Sequence, residues 1–238
     1  MKLYKYTACA ALACLLMTSC GKIVKIHTDK DKYYDSSDFI TKELSITEGF
    51  NAIKSEAITD VEYVPGPAKL TLKATENLLS KIEVYVKDSV LVVTAKDDKI
   101  KLKDFSDSKL IVSYPDVRRF ETYGTGDFII KTINTDDITF MTYGTGDIDC
   151  EKASCNTIRV ETCGTGDIEI KRLDCTSAYL ETSGTGDIDI INIKSDFVEA
   201  TTNGTGDIDL KGECRTARFS ENGIGDIKSK GLKVTEKE

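Results

Sequence analysis

The chain has 238 residues, 40% of them hydrophobic and 30% charged, with no Trp and only 3 Pro, which is the composition of a folded body with a real core. Its formal net charge of -8 argues against nucleic acid as a partner, because phosphate binding needs clustered Lys and Arg. No stretch after Ser19 is long and apolar enough to span a bilayer.

The N-terminus reads as a targeting segment. Lys2 and Lys5 form a short basic region, and residues 8–17 (ACAALACLLM) form an apolar run too short for a transmembrane helix. Met17-Thr18-Ser19-Cys20 then resembles the bacterial lipoprotein box, in which the Cys becomes the acylated N-terminus. The expectation is a signal peptide over 1–19, lipidation at Cys20, and attachment to a membrane through acyl chains, each buried CH2 contributing about 0.8 kcal/mol. Residues 20–41 are polar and of mixed charge and read as a tether, ending in a first strand.

From residue 42 to the end, the chain reads as one β domain. FNAIKSEA, ITDVEYV, AKLTLKAT, KIEVYV, SVLVVTAK and SKLIVSY alternate apolar and polar residues with period two, which predicts strands. Pro65-Gly66-Pro67 and Lys87-Asp88-Ser89 punctuate them as turns, and Glu76 to Lys81 is expected to form a single helical turn.

Over 118–238 a repeat takes over. GTGD-type hexapeptides begin at Gly124, Gly144, Gly164, Gly184, Gly204 and Gly223, evenly spaced except that the last comes one position early. Within a unit, Ile138, Phe140, Thr142, Gly144, Gly146, Ile148 and Cys150 alternate with Thr139, Met141, Tyr143, Thr145, Asp147 and Asp149. One set is apolar or small and the other mostly polar, so each unit has two β arms sharing an inward face and meeting at Gly-x-Gly. A further inward position recurs at Ile133, Ala153, Leu173 and Ile193. Each unit is then one coil of an all-β, right-handed parallel β-helix with coils of about 20 residues, preceded by an irregular β-rich part. Stacking predicts an Ile ladder (148, 168, 188, 208, 227) and a buried Thr ladder (122, 142, 162, 182, 202). The turn glycines (Gly124, Gly126, Gly144, Gly146, Gly164, Gly166, Gly184, Gly186, Gly204, Gly206, Gly223, Gly225) are expected because the inside of a sharp bend has no room for a side chain and because Gly reaches backbone angles that other residues avoid. The last unit replaces Thr with Ile224 and ends in a charged tail, which protects an open sheet end from edge pairing.

GFNAIKSEAITDVEYVPG (49–66), ENLLSKIEVYVKDSVLVVTAK (76–96) and the tandem G-T/S-G-D-I units together resemble the "putative auto-transporter adhesin, head GIN domain" family over about residues 42–238. The resemblance implies a parallel β-solenoid on a lipoprotein of Bacteroidetes-type bacteria and brings no catalytic residues with it. The stretch GKIVKIH after Cys20 lacks the early acidic cluster that resembles a surface-export signal in such bacteria, which favours a periplasm-facing structural protein as the alternative to a surface adhesin.

Stacked Asp127, Asp147, Asp167, Asp187, Asp207 and Asp226 must have their mutual repulsion offset. Capping of turn N–H groups is one reading and a row of calcium ions the other. The GGxGxD calcium repeat matches poorly, since here Asp follows the second Gly directly and the period is not a multiple of nine. A second outward acidic row comprises Asp149, Glu169, Asp189 and Asp209. A phosphate-cradling loop is set aside because a strand, not a helix, follows each glycine pair. Catalysis is not expected, because uniform coils lack the cleft and the unlike carboxylate pair that glycoside hydrolysis requires. Tyr123 and Tyr143, at equivalent outward positions, form a candidate contact for a polysaccharide or protein partner. Cys155 and Cys175 are expected to be neighbours in the stack; free thiols are the preferred reading and a disulfide, which needs specific Cβ directions, the alternative outside the cytoplasm.

Overall fold

The computed structural model describes residues 39–96 and 108–236, so the leader, Cys20 and most of the expected tether lie outside the described residues. The period-two segments form β1 (Phe39–Leu44), β2 (Ala52–Ser55), β3 (Asp60–Val64), β4 (Lys69–Thr75), β5 (Ile82–Lys87), β6 (Val90–Ala95) and β7 (Lys109–Ser113), with α1 (Glu76–Leu79) as the one helical turn between β4 and β5. The strand β1 begins inside the stretch expected as tether. The β5–β6 hairpin closes on Asp88 and Ser89, both in the left-handed region (φ 51° and 62°), as a tight hairpin turn requires.

The repeat folds into β8 (Arg119–Thr122), β9 (Phe128–Ile130), β10 (Ile133–Asn134), β11 (Asp137–Thr142), β12 (Ile148–Cys150), β13 (Ala153–Thr162), β14 (Ile168–Ile170), β15 (Leu173–Thr182), β16 (Ile188–Thr202), β17 (Ile208–Glu221) and β18 (Ile227–Val234). Each strand pairs in parallel with its counterpart one unit on, giving a parallel β-solenoid in which one sequence repeat makes one coil. Ile148 stands opposite Ile168, Ile168 opposite Ile188 and Ile188 opposite Ile208, then Ile227. Thr122, Thr142, Thr162, Thr182 and Thr202 stack in register and are fully buried. Three columns of strands result. The first precedes the glycine turn, the second follows it, and the third is a strip at the remaining corner, where Ile133, Ala153, Leu173 and Ile193 face inward.

The solenoid extends further toward the N-terminus than the glycines do. β2 pairs with β8, and β3 with β9, so Ser55 stands at the Thr position and Ala57 and Thr59 stand where later coils have glycine. β6 and β7 form a coil beyond that, pairing in parallel with β2 and β3. The irregularity lies in the order: the β2–β3 coil sits between one formed later in the chain and β8–β9. Antiparallel strands close this end, β5 on β6 in the first column and β4 then β1 on β7 in the second. The largest fully buried side chains, Tyr63, Phe120, Phe128 and Phe140, lie toward this end. Phe120 packs edge-on against Tyr63, Phe128 and Phe140 with centroids 5.2–5.7 Å apart.

The glycine turns need one correction. None of the repeat-turn glycines has positive φ; among the described glycines Gly212 alone does, at 123°. The requirement is space between coils. A Cβ on Gly144 would collide with the Gly124 carbonyl, one on Gly164 with the Gly144 carbonyl, and one on Gly186 with the Gly166 carbonyl. The special conformation instead belongs to the short unit. One residue is missing between Leu210 and Gly212 relative to Ile190 and Ile193, and Gly212 turns that tighter corner.

Gly186→Ala is therefore expected to lower stability by about 3 kcal/mol or more, because the obstacle is backbone that cannot rotate away. Thr185→Ala, at the exposed position between the same two glycines, should change it by less than about 0.5 kcal/mol. Paired urea unfolding curves give the comparison, and equal midpoints would contradict the steric account.

Candidate functional site

Both acidic rows arise from the strand alternation just after the glycine turn. The row nearest the glycine turn is bonded coil to coil. Each Oδ1 accepts the backbone N–H of the Asp one coil on: Asp127 from Asp147 at 2.9 Å, Asp147 from Asp167, Asp167 from Asp187, Asp187 from Asp207 and Asp207 from Asp226 at 2.8 Å. Asp60, which the sequence reading did not single out, begins the row by accepting from Asp127 at 3.1 Å. The buried threonines complete the turn from inside. Thr142 donates to the Gly166 carbonyl, Thr162 to Gly186, Thr182 to Gly206 and Thr202 to Gly225, at 2.9–3.0 Å. Among the described residues, no three Asp, Glu, Cys or His side chains converge on a point that could hold one metal ion.

The outward row, Asp149, Glu169, Asp189 and Asp209, runs in register along the second column. Partial burial, then neighbouring carboxylates, raises the Asp149 and Asp189 carboxyls above their ordinary value. The row is relieved at its C-terminal end. Lys211 pairs with Asp209 at 3.0 Å, and Lys228, standing next in the row, pairs with Asp207 at 2.6 Å.

The outer face of the first column has a different chemistry. Tyr123 and Tyr143 stack with centroids 4.5 Å apart and planes 16° from parallel, leaving 44% and 38% of their surfaces exposed. The Lys54 ammonium lies 4.2 Å over the Tyr123 ring and pairs with Glu56 at 2.7 Å. The Tyr143 hydroxyl sits 3.7 Å from Met141 Sδ; burial first, then Tyr123 and Glu161, push it up to about 12.

A second aromatic pair lies on the same face. Tyr179 and Phe197 meet edge to face at 6.0 Å, with Arg159 against Tyr179 and Arg218 against Phe197 at 5.8 and 5.9 Å. Sequence reading missed it because these rings occupy non-equivalent positions in their two coils, and a search for equal spacing passes over them. Their shared outward parity within adjacent coils was the available signal.

The third column carries an open polar groove of about 500 Å3 lined by Asn134, Asp136, Ser154, Cys155, Asn156 and Asp174. Cys155 and Cys175 are register partners and both are free thiols. Cys163 points outward and hydrogen-bonds Glu161 at 3.1 Å; burial and that carboxylate push its thiol up to about 11.

At neutral pH the raised Asp189 carboxyl is ionised at a cost to the fold. A carboxyl raised on folding destabilises as pH rises through its range, and the effect is absent in acid. Asp189→Asn is expected to raise the unfolding midpoint slightly near neutral pH and to leave it unchanged well below the usual carboxylate range. A gain that persists in acid would show that charge is not its origin.

Comparison with known proteins places this geometry. The family model described as "Putative auto-transporter adhesin, head GIN domain" matches residues 49–173 and again 164–238. The overlap is what a short tandem repeat produces, since the same pattern registers again further along the stack. Among solved structures, a "putative adhesin" from Bacteroides fragilis NCTC 9343 superposes with a TM-score of 0.71 at 25% identity, covering 81% of this chain and 97% of that one. A "putative lipid binding protein" from Parabacteroides distasonis ATCC 8503 (TM-score 0.61, 17% identity, 83% and 97% covered) and a "putative adhesin" from Parabacteroides merdae ATCC 43184 (0.54, 18%, 79% and 95%) share the fold. Among curated proteins nothing matches. The chain belongs to the auto-transporter adhesin head GIN domain family.

Proposed function

We propose that the protein is a non-catalytic adhesion module of the cell envelope, held to a membrane through lipidated Cys20 and binding a polysaccharide or protein partner across the outer face of its first column. The observation that carries this is the grouping of Tyr123, Tyr143, Tyr179, Phe197, Arg159 and Arg218 on one face. Tyr and Arg are enriched where proteins hold partners, because they offer large contact area together with donors. The second column, by contrast, presents a carboxylate row that solvates and repels. Tyr123 and Tyr143 cover each other's ring faces, so they would meet a partner with their edges and hydroxyls. A catalytic role is not supported. The carboxylates at the turn are engaged by backbone N–H groups in the same way in coil after coil, and such a uniform row does not divide into acid and base.

The alternative is a periplasm-facing structural protein, favoured by the lack of acidic residues directly after Cys20 (GKIVKIH). Protease shaving of intact cells separates the two. Cleavage is expected for the adhesin, whereas protection until the outer membrane is opened would sink that reading. On a glycan or matrix-protein array that retains the wild-type chain, the double change Tyr143→Ala and Arg159→Ala should weaken binding about tenfold or more. Cys20→Ala should move the protein from the membrane to the soluble fraction.

A further inference from the structure

The third column carries a side-chain pair that neither the turns nor the aromatic face uses. Cys155 of β13 and Cys175 of β15 are Cα partners in adjacent parallel strands. Neighbouring strands lie about 4.8 Å apart, and a disulfide accepts Cα separations of about 4.4–6.8 Å. Cys155 opens onto the polar groove beside Asn156 and Asp174, with Cys175 as its register neighbour.

The remaining thiols are placed otherwise. Cys150 is enclosed on the inner face and Cys214 is buried. Ser195, standing between Cys175 and Cys214 in the same row, separates the pair from Cys214. Cys163 faces outward in the first column beside Glu161. One adjacent, solvent-reaching dithiol therefore exists among the described residues.

We propose that Cys155 and Cys175 are a redox-active dithiol that exchanges with low-molecular-weight disulfides, closing a bond that clasps two successive coils. Cys155 is the entry point, because it lines the groove where Cys175 does not; the neighbouring Cys175 thiol also holds the Cys155 thiol below its ordinary value, which favours the thiolate. The Cys155 thiolate attacks one sulfur of the external disulfide. A mixed disulfide forms, and one thiolate leaves and takes up the proton that Cys155 gave up. Cys175 then loses its proton and attacks the Cys155 sulfur, expelling the second thiol. The two protein thiols are oxidised, and the external disulfide is reduced to two thiols. The closed loop spans one coil, so the bond ties units that already lie in contact.

The test uses the full chain, reduced, freed of reductant, and incubated without air in oxidised glutathione. Remaining thiols are alkylated and peptides mapped. Cys155 and Cys175 should lose alkylation together, with one peptide pair joined by a disulfide within a single chain, while Cys163 stays outside that bond. Cys175→Ser should hold glutathione on Cys155, and Cys155→Ser should slow adduct formation at Cys175 at least about tenfold. Full alkylation of both residues in the wild-type chain after oxidation, or a disulfide joining either of them to another cysteine or another chain, would overturn the proposal. The wild-type peptide map decides even where a serine variant folds poorly, and its result is independent of whether the aromatic face binds a partner.

Discussion

The spacing between coils governs everything else in this molecule. Parallel pairing holds each strand about 4.8 Å from the next, and at the turn the first carbonyl of one Gly-x-Gly points into the space where the next coil would carry a Cβ. The turn must therefore be built from glycine, and it is then too tight to satisfy its own polar groups. The Asp after the second glycine accepts an N–H from the following coil, and the Thr two residues before the first glycine donates to a glycine carbonyl of that coil. Buried polar groups left unmatched would cost about 1–3 kcal/mol each, so Thr, Gly, Gly and Asp form one physical unit. The Thr between the glycines is not part of it. It stands exposed, which is why Ile224 can take its place in the last unit.

That unit explains which parts of the fold were legible. A ladder in exact register maps a sequence period directly onto neighbours in space, so the Ile and Thr ladders and the corner positions Ile133, Ala153, Leu173 and Ile193 follow from spacing alone. The coil Ser55-Glu56-Ala57-Ile58-Thr59-Asp60 was not legible as one, since it lacks both glycines, although it keeps the Asp whose carboxylate receives Asp127 N–H. The stacking order was hidden for a different reason. Placing β2–β3 between β6–β7 and β8–β9 depends on which edges the antiparallel strands β4 and β5 occupy. Such long-range pairing leaves no periodic trace.

Candidate-site residues divide along the same line. Tyr123 and Tyr143 were visible because equal spacing makes them stack. Tyr179 and Phe197 were not, because they meet diagonally across coils. A uniform core leaves outward side chains as the place where one coil can differ from the next. Recognition in a solenoid is thus written in the departures from the repeat: the aromatic and arginine positions of the first column stand out against Thr139, Thr157 and Ser177 at equivalent places.

The same reasoning applies to the last described coil. The row of buried threonines ends at Glu221, which stands opposite Thr202 and whose carboxylate accepts the N–H of Ile227 at 2.8 Å. A further coil would have to bury that carboxylate, at a cost that the usual strand pairing does not offset. Phe219, in the column that holds Phe120 and Phe140 in the core, is accordingly 39% exposed. Lys228 meanwhile replaces the next acid in the outward row and pairs back onto Asp207. An inward charge and a reversal of sign outside are devices by which natural sheets keep an open edge from recruiting another strand. Here they sit together on the last described coil of the repeat.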